Sequence, residues 1–240
     1  MNSSVSIIVP ARNERNYIEP LVQRLPDLPL NSEIIFVEGH STDGTSDEIK
    51  RIAEKYASKV RIRYATQDGL GKADAVWKGF AMANNDLLAI LDADITVMPE
   101  DLPQFLTAAA KADDLFINGS RLVYPMEKGA MRPLNYLGNK AFAWLLSFLL
   151  KFPLTDTLCG TKVIRKKHFE QFRNLGGLDK LYDPFGDFTL LVAAAHLGLK
   201  VVEVPIFYRK RIYDQTKIRR FKDGLKLLKI LWQARKNKFL

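Results

Sequence analysis

Sulfur and imidazole are scarce in this 240-residue chain, which has one cysteine, Cys159, and three histidines, His40, His168 and His196. A single cysteine excludes an intramolecular disulfide and suits a reducing compartment. The scattered histidines cannot complete a zinc cage of the usual type with it. Long apolar runs are missing too. The longest uncharged one covers residues 141–150, between Lys140 and Lys151, whereas a membrane-spanning helix needs about 20 residues. The first residues, Met-Asn-Ser-Ser-Val-Ser, carry neither the basic nor the apolar part of a secretory signal. The expectation is a cytoplasmic chain, not secreted and without a transmembrane helix, whose membrane contact, if any, is peripheral on the inner face.

The 47% hydrophobic and 26% charged residues match a globular chain with room for a substantial core, which excludes disorder and collagen-like order. The net charge of +9 is localised: residues 201–240 hold twelve Lys or Arg against Glu203, Asp214 and Asp223, and the first 200 residues balance to zero. Such a distribution favours one contact with something anionic, a phosphate group, an acidic membrane surface or nucleic acid.

Strand signals at 5–9 (a β-branched run), 33–37, 60–64, 87–91 and 115–117 alternate with helical patterns at 14–25, 45–57, 72–83 and 100–110. This alternation predicts an α/β fold, Rossmann-like, with a mostly parallel sheet and helices on both faces. Ligands of such sheets bind outside the carboxyl ends of the strands, so the polar residues after each strand are the candidates. The second half is less regular, with an apolar helix predicted over 134–151, a helix over 187–197 and a strand over 201–207. Residues 220–236 form a basic amphipathic helix, with Phe221, Leu225, Leu228 and Trp232 on one stripe and Lys222, Lys226, Lys229 and Lys236 beside it. The division expected is a catalytic domain over 1–217, with halves at about 1–120 and 121–217, followed by that helix within 218–240.

Two phosphate-binding signatures fail. Gly69-Leu-Gly71-Lys72 would need glycine at 66 and Ser or Thr at 73 to be a P-loop, and the chain has Thr66 and Ala73. The third glycine of a dinucleotide fingerprint would fall on Asp74. Asp92-Ala-Asp94, just past a strand, is more promising, because two carboxylates at i and i+2 can share one hard cation and through it a diphosphate. Acidic residues also simply end strands and open turns.

Pro10-Ala-Arg-Asn-Glu14, Val37-Glu-Gly-His-Ser-Thr-Asp-Gly-Thr45, Gly69-Leu-Gly-Lys72 and Leu91-Asp-Ala-Asp94 follow in that order and spacing. Together they resemble glycosyltransferase family 2. Asn118-Gly-Ser-Arg121, Asp156-Thr-Leu-Cys-Gly-Thr-Lys162 and Val204-Pro-Ile-Phe-Tyr-Arg209 resemble the branch of dolichyl-phosphate mannose synthases and bacterial polyprenyl-phosphate glycosyltransferases. The resemblance spans about residues 5–220. It implies a nucleotide-diphospho-sugar transferase (GT-A type) fold and inverting transfer from a UDP- or GDP-sugar. By the same resemblance, Pro10, Arg12 and Glu14 line the nucleotide pocket and Glu38 meets the base or ribose. Asp92 and Asp94 hold Mg²⁺ or Mn²⁺, with Lys72 and Asp74 on the same edge. Arg121, Arg132, Arg209, Arg211 and Lys217 form a clamp for donor or acceptor phosphates.

The chain departs from the family pattern twice. Glu38-Gly39-His40-Ser41 stands where the family usually has two aspartates followed by Gly-Ser. Thr96 stands where the lipid-phosphate branch often has glutamine. Asp187, after Gly186, reads either as a carboxylate near the acceptor that takes a hydroxyl proton or as a helix N-cap. A lipid monophosphate acceptor is already anionic and needs cations more than a base, which the basic C-terminal segment suits. The helix carrying Phe142, Trp144, Leu145, Phe148 and Leu149 is either a core helix or an interfacial one that guides a prenyl chain. Other readings stay open: a family member acting on a saccharide or other hydroxyl with Asp187 as base, an inactive sugar-nucleotide binder, and a basic nucleic-acid-binding module. The last lacks interleaved aromatics, so no nucleic acid is expected as partner.

Overall fold

The computed structural model describes residues 4–175, 183, 185–211 and 220–239, with the side chains of 220–223 outside the description. Chain order is β1 (Val5–Ala11), α1 (Arg15–Arg24), β2 (Glu33–Glu38), α2 (Thr45–Lys55), β3 (Arg61–Thr66), α3 (Lys72–Met82) and β4 (Leu87–Ile90). A short 3-10 turn at Pro99–Asp101 then leads into α4 (Leu102–Ala109), β5 (Leu115–Ser120) and α5 (Pro133–Leu150). The remainder is β6 (Lys162–Arg165), α6 (Lys166–Asn174), α7 (Asp187–His196), β7 (Lys200–Pro205) and α8 (Arg220–Lys236).

The strands form one seven-stranded sheet in the order β3-β2-β1-β4-β6-β5-β7. All neighbours pair in parallel except around β6, which runs antiparallel to both β4 and β5. The strand order reverses at β1, which pairs with β2 on one side and β4 on the other. Such a switch point opens a crevice at the carboxyl ends of the strands. Because β6 is reversed, its first residue, Lys162, sits opposite Ile90 and Asn118, at the end of the sheet where β4 and β5 finish.

Alternation along β1 sorts its side chains between two apolar layers. Ile7 and Val9 pack with Ile18 and Leu21 of α1, Ile52 of α2 and Phe105 of α4. Ile8 packs with Phe80 of α3, Leu146 of α5, Phe172 of α6, Phe188 of α7 and Ile230 of α8. Gly79 lets α3 approach closely, since a Cβ there would lie 2.5 Å from Ile8 Cγ2.

The two C-terminal-half helices differ from the stripe reading. In α5, Ala143, Leu146 and Leu150 are buried and Phe142, Leu145 and Leu149 half-buried, while Trp144 and Phe148 are each 73% exposed. In α8 the buried residues are Leu227, Ile230, Leu231 and Ala234. The expected stripe of Leu225, Leu228 and Trp232 faces outward. Two apolar patterns share α8 at helical spacing, and the core takes the one that faces α7. The expected tail helix therefore packs into the second core layer. Among the described residues no helix is long and apolar enough to cross a membrane.

Candidate active site

The loops after β1 and β2 are stitched together by small polar side chains. Ser41 Oγ accepts the Asn13 N–H (2.9 Å), Asn13 Oδ1 accepts the Thr42 N–H (2.9 Å), and Thr45 Oγ1 accepts the Glu14 N–H (2.9 Å). Asp43 accepts the N–H groups of Arg15 (3.1 Å) and Thr45 (2.9 Å). Glu38 is buried, and its carboxylate accepts the N–H groups of His40 (3.1 Å) and Ser41 (2.5 Å). The run from Glu38 to Thr45 is thus largely scaffolding for the loop that carries Arg12 and Glu14.

Beside it, the β4 end presents Asp92 and Asp94. Asp92 meets Lys72, the first residue of α3, at 2.5 Å. Burial works against ionisation of Asp92, yet the Lys72 ammonium outweighs it and the carboxyl ends below its usual range. Lys72 is raised in turn: burial opposes its charge, and Asp92 and Asp187 more than restore it. Asp94 Oδ1 accepts the Thr96 N–H (3.1 Å) and hydroxyl (2.7 Å), and Arg211 donates to Oδ2 while lying 3.5 Å from Glu14. Ile95 closes this turn at φ +54°, a left-handed conformation in which a β-branched side chain is a genuine outlier. Backbone strain of about 1–3 kcal/mol is stored here, as at many functional sites.

Two buried ion pairs support the cleft from below. Arg121 grips Asp156 with a fork, Nε to Oδ2 at 2.6 Å and Nη2 to Oδ1 at 2.9 Å, and its guanidinium lies 5.0 Å from the Tyr208 ring centroid. Asn139 of α5 donates to the same carboxylate at 2.8 Å. Desolvation pushes the Asp156 carboxyl up, but Arg121 and these donors bring it down to about 2. Lys162 is 0% exposed and donates to Asp187 Oδ1 at 2.8 Å and to the Cys159 carbonyl. A buried ammonium is tolerated only when paired in this way.

Asp187 opens α7 without capping it. Asp183 takes that role, accepting the N–H groups of Phe185, Phe188 and Thr189 at 3.0 Å. The capping reading of Asp187 is corrected accordingly: its carboxylate is turned to Lys162 and lines the cleft.

The cleft holds about 510 Å³, within the range of ligand pockets. Of the residues singled out from sequence, it brings together Pro10, Arg12, Glu14, Lys72, Asp92, Asp94, Arg121, Asp187 and Arg211. Glu38 does not line it. Asp74 holds the Gly69 loop, accepting the Gly69 N–H at 2.9 Å. Arg132 is exposed ahead of α5, and Arg209 lies over the Phe207 ring at 5.6 Å; neither lines the cleft. Lys217 lies outside the described residues, as do the side chains of Phe221 and Lys222. The cleft adds Gly160, Thr96, Gln67, Tyr208, Phe185 and, from α8, Lys226.

Among the described residues, no group of three or more His, Cys, Asp or Glu is arranged to hold a metal ion. Asp92 and Asp94 instead offer a platform of two hard oxygen donors. Mg²⁺-type ions accept such a platform when substrate phosphates and water complete the shell. Gly160 keeps it open, since a Cβ there would lie 2.2 Å from Asp92 Oδ2 and 2.1 Å from Lys72 Nζ. The residues fit a divalent ion.

Comparison with known proteins bears on family and fold. The chain is 30% identical over 220 residues to an undecaprenyl-phosphate mannosyltransferase of Micrococcus luteus, covering 89% of this chain and 87% of that one. It is 37% identical over 121 residues to a dolichol-phosphate mannosyltransferase of Pyrococcus furiosus, covering 50% of this chain. It spans 33% of that relative's length, and 37% and 46% of two other curated relatives. The structure of Mycobacterium tuberculosis glucosyl-3-phosphoglycerate synthase with Mn²⁺, UDP-glucose and phosphoglyceric acid superposes with a TM-score of 0.61. That match has 16% identity and covers 98% of this chain and 79% of that one. At that identity the likeness concerns the fold, which is the GT-A fold of nucleotide-sugar transferases. The glycosyl transferase family 2 model matches residues 6–173, from β1 through the two aspartates into α6, and the chain belongs to that family.

Proposed function

We propose that this chain transfers a sugar, with inversion, from a UDP- or GDP-sugar to the phosphate of a polyprenyl phosphate at an anionic membrane surface. The names of the Micrococcus and Pyrococcus relatives, undecaprenyl-phosphate and dolichol-phosphate mannosyltransferase, support an isoprenyl phosphate acceptor. The Mn²⁺ and UDP-glucose in the mycobacterial structure support a divalent ion and a nucleotide-sugar donor.

In this reading the nucleotide lies along Pro10, Arg12 and Glu14 at the β1 end, and Asp92 and Asp94 hold Mg²⁺ or Mn²⁺. The ion supplies positive charge that offsets the charge developing on the departing diphosphate. Lys72 and Arg211, which pair with the two aspartates, are the cations that would also meet the donor's phosphate oxygens. An acceptor phosphate oxygen attacks the anomeric carbon from the face opposite the leaving group, the bond from that carbon to the diphosphate breaks, and the nucleoside diphosphate leaves. Arg121, stacked on Tyr208 and locked by Asp156, sets a fixed positive field for this displacement.

The observation that carries the acceptor assignment is the pairing of Asp187 with the buried Lys162 at 2.8 Å. A hydroxyl acceptor needs a carboxylate to take its proton, and the carboxylate at that end of the cleft already has an oxygen engaged by an ammonium. A phosphate acceptor needs no base. Outward-facing Trp144 and Phe148 on α5, with Leu225, Leu228 and Trp232 on the basic α8, support contact with the lipid surface that holds such an acceptor.

Ranking two variants tests the assignment. With a lipid-phosphate acceptor, Arg211→Ala loses more activity than Asp187→Asn. The reverse order favours a hydroxyl acceptor with Asp187 as base.

A further inference from the structure

α8 is apolar on two opposite faces. At about 100° per residue, Leu227, Ile230, Leu231 and Ala234 gather on the buried side. Leu225, Leu228 and Trp232, 69%, 48% and 62% exposed, gather on the other. The core explains only the first face. Lys226 and Lys229 lie on the flank between the two, with Lys226 nearer the core. Lys229 is exposed, whereas Lys226 is half-buried and lines the cleft with Asp92, Asp187 and Arg211. One helix therefore joins an outward apolar stripe to a cation at the reaction centre.

We infer that α8 is a wall of the acceptor site and that Lys226 binds the phosphate of an isoprenyl phosphate entering from the membrane, an inference that rests on the acceptor reading above. Trp232 and its neighbours seat the helix among lipid tails, which sets Lys226 at headgroup depth, where the acceptor phosphate emerges. The basic C-terminal segment then does two separate jobs. Lys229 adds general attraction to anionic lipid, and Lys226 makes a directed contact inside the cleft.

The test is binding of farnesyl phosphate, a short isoprenyl monophosphate, to the full chain by titration calorimetry. The variants are Lys226→Ala, Lys226→Arg and the charge-matched control Lys229→Ala. Loss of one charge-assisted hydrogen bond predicts that Lys226→Ala weakens binding about tenfold or more. Lys229→Ala stays within about twofold of wild type, and Lys226→Arg recovers most of the affinity. Flotation with phosphatidylglycerol vesicles falls more for Lys229→Ala, whose charge is exposed, than for Lys226→Ala, and nucleotide-sugar binding is unchanged in both. Equal farnesyl phosphate affinity for the two alanine variants overturns the inference, as does a loss of donor binding in Lys226→Ala. A wild-type chain that binds nucleotide-sugar but not farnesyl phosphate overturns the acceptor reading itself, a different and recognisable failure.

Discussion

Gly160→Ala adds one methyl group to the cleft and nothing elsewhere. The backbone at Gly160 is not in the left-handed region, so alanine fits it, and the cost comes from what the methyl meets. Its carbon would sit 2.1 Å from Lys72 Nζ, 2.2 Å from Asp92 Oδ2 and 2.8 Å from Asp92 Cγ, where ordinary contact begins at 3.4 Å. Both side chains must therefore retreat by about 1.2–1.3 Å. The Lys72 ammonium can swing on its flexible stem. Asp92 is tethered by a short side chain at the end of β4, so its carboxylate leaves the place where it would meet a cation. A misplacement of about 1 Å costs roughly 100-fold in rate, or about 2.7 kcal/mol of barrier. The fold should survive, because the displaced Lys72 and Asp92 line the cleft and the disturbance is confined to their ion pair. The assay is transfer of labelled sugar to lipid phosphate, run beside a thermal melt. Wild-type transfer would refute the location of the site. A loss of transfer accompanied by a large fall in melting temperature would show that Gly160 serves core packing instead.

Asp156→Ala leaves Arg121 charged and buried without its partner, and breaking a buried pair from one side costs about 3–5 kcal/mol, read as a lower urea midpoint at pH 7. Because Asp156 falls from an ordinary 3.8 to about 2 on folding, its contribution of about 2 kcal/mol is present above pH 4 and disappears as pH drops from 4 towards 2. The wild-type advantage over the variant should narrow across that window, and a constant gap would contradict the pairing. Asp92→Asn and Asp94→Asn should each abolish metal-dependent transfer while circular dichroism stays native; undiminished turnover without added metal would reject the assigned chemistry. Replacing Trp144 and Trp232 together by serine should reduce flotation with anionic vesicles at low salt, and unchanged flotation would remove the interfacial role of α5 and α8.

The first half of the fold was readable because each parallel strand there is a short strand-forming run followed by a turn and a helix, so local pattern and long-range packing agree. β6 and α6 were not. Lys162–Arg165 offers only Val163 and Ile164 as apolar residues, and Lys166–Asn174 only Phe169 and Phe172, too few to show a period. The place of β6 between β4 and β5 is also a long-range pairing that no local pattern encodes. The site divides in the same way. Asp92, Asp94 and Arg12 were legible because residues after parallel strands converge on the crevice. Gly160 reaches it from the residues just before a reversed strand, whose first residue, Lys162, acts on it only through Asp187, and Lys226 reaches it from a helix more than a hundred residues beyond the aspartates. Glu38, the last residue of β2, shows what spacing alone does not reveal: its carboxylate accepts two backbone N–H groups and holds the loop. In α8 the stripe read from spacing was real but faced outward, since periodicity reveals a face and not what covers it.

The most direct measurement offers the full chain, with Mn²⁺ and labelled UDP- or GDP-sugars, two acceptors in vesicles: undecaprenyl phosphate and undecaprenol, the same chain without the phosphate. Transfer from at least one donor to the phosphate, with none to the alcohol, is the predicted result. Labelling of the alcohol, or of neither acceptor with any donor, would contradict a cleft built to join two phosphate-bearing molecules.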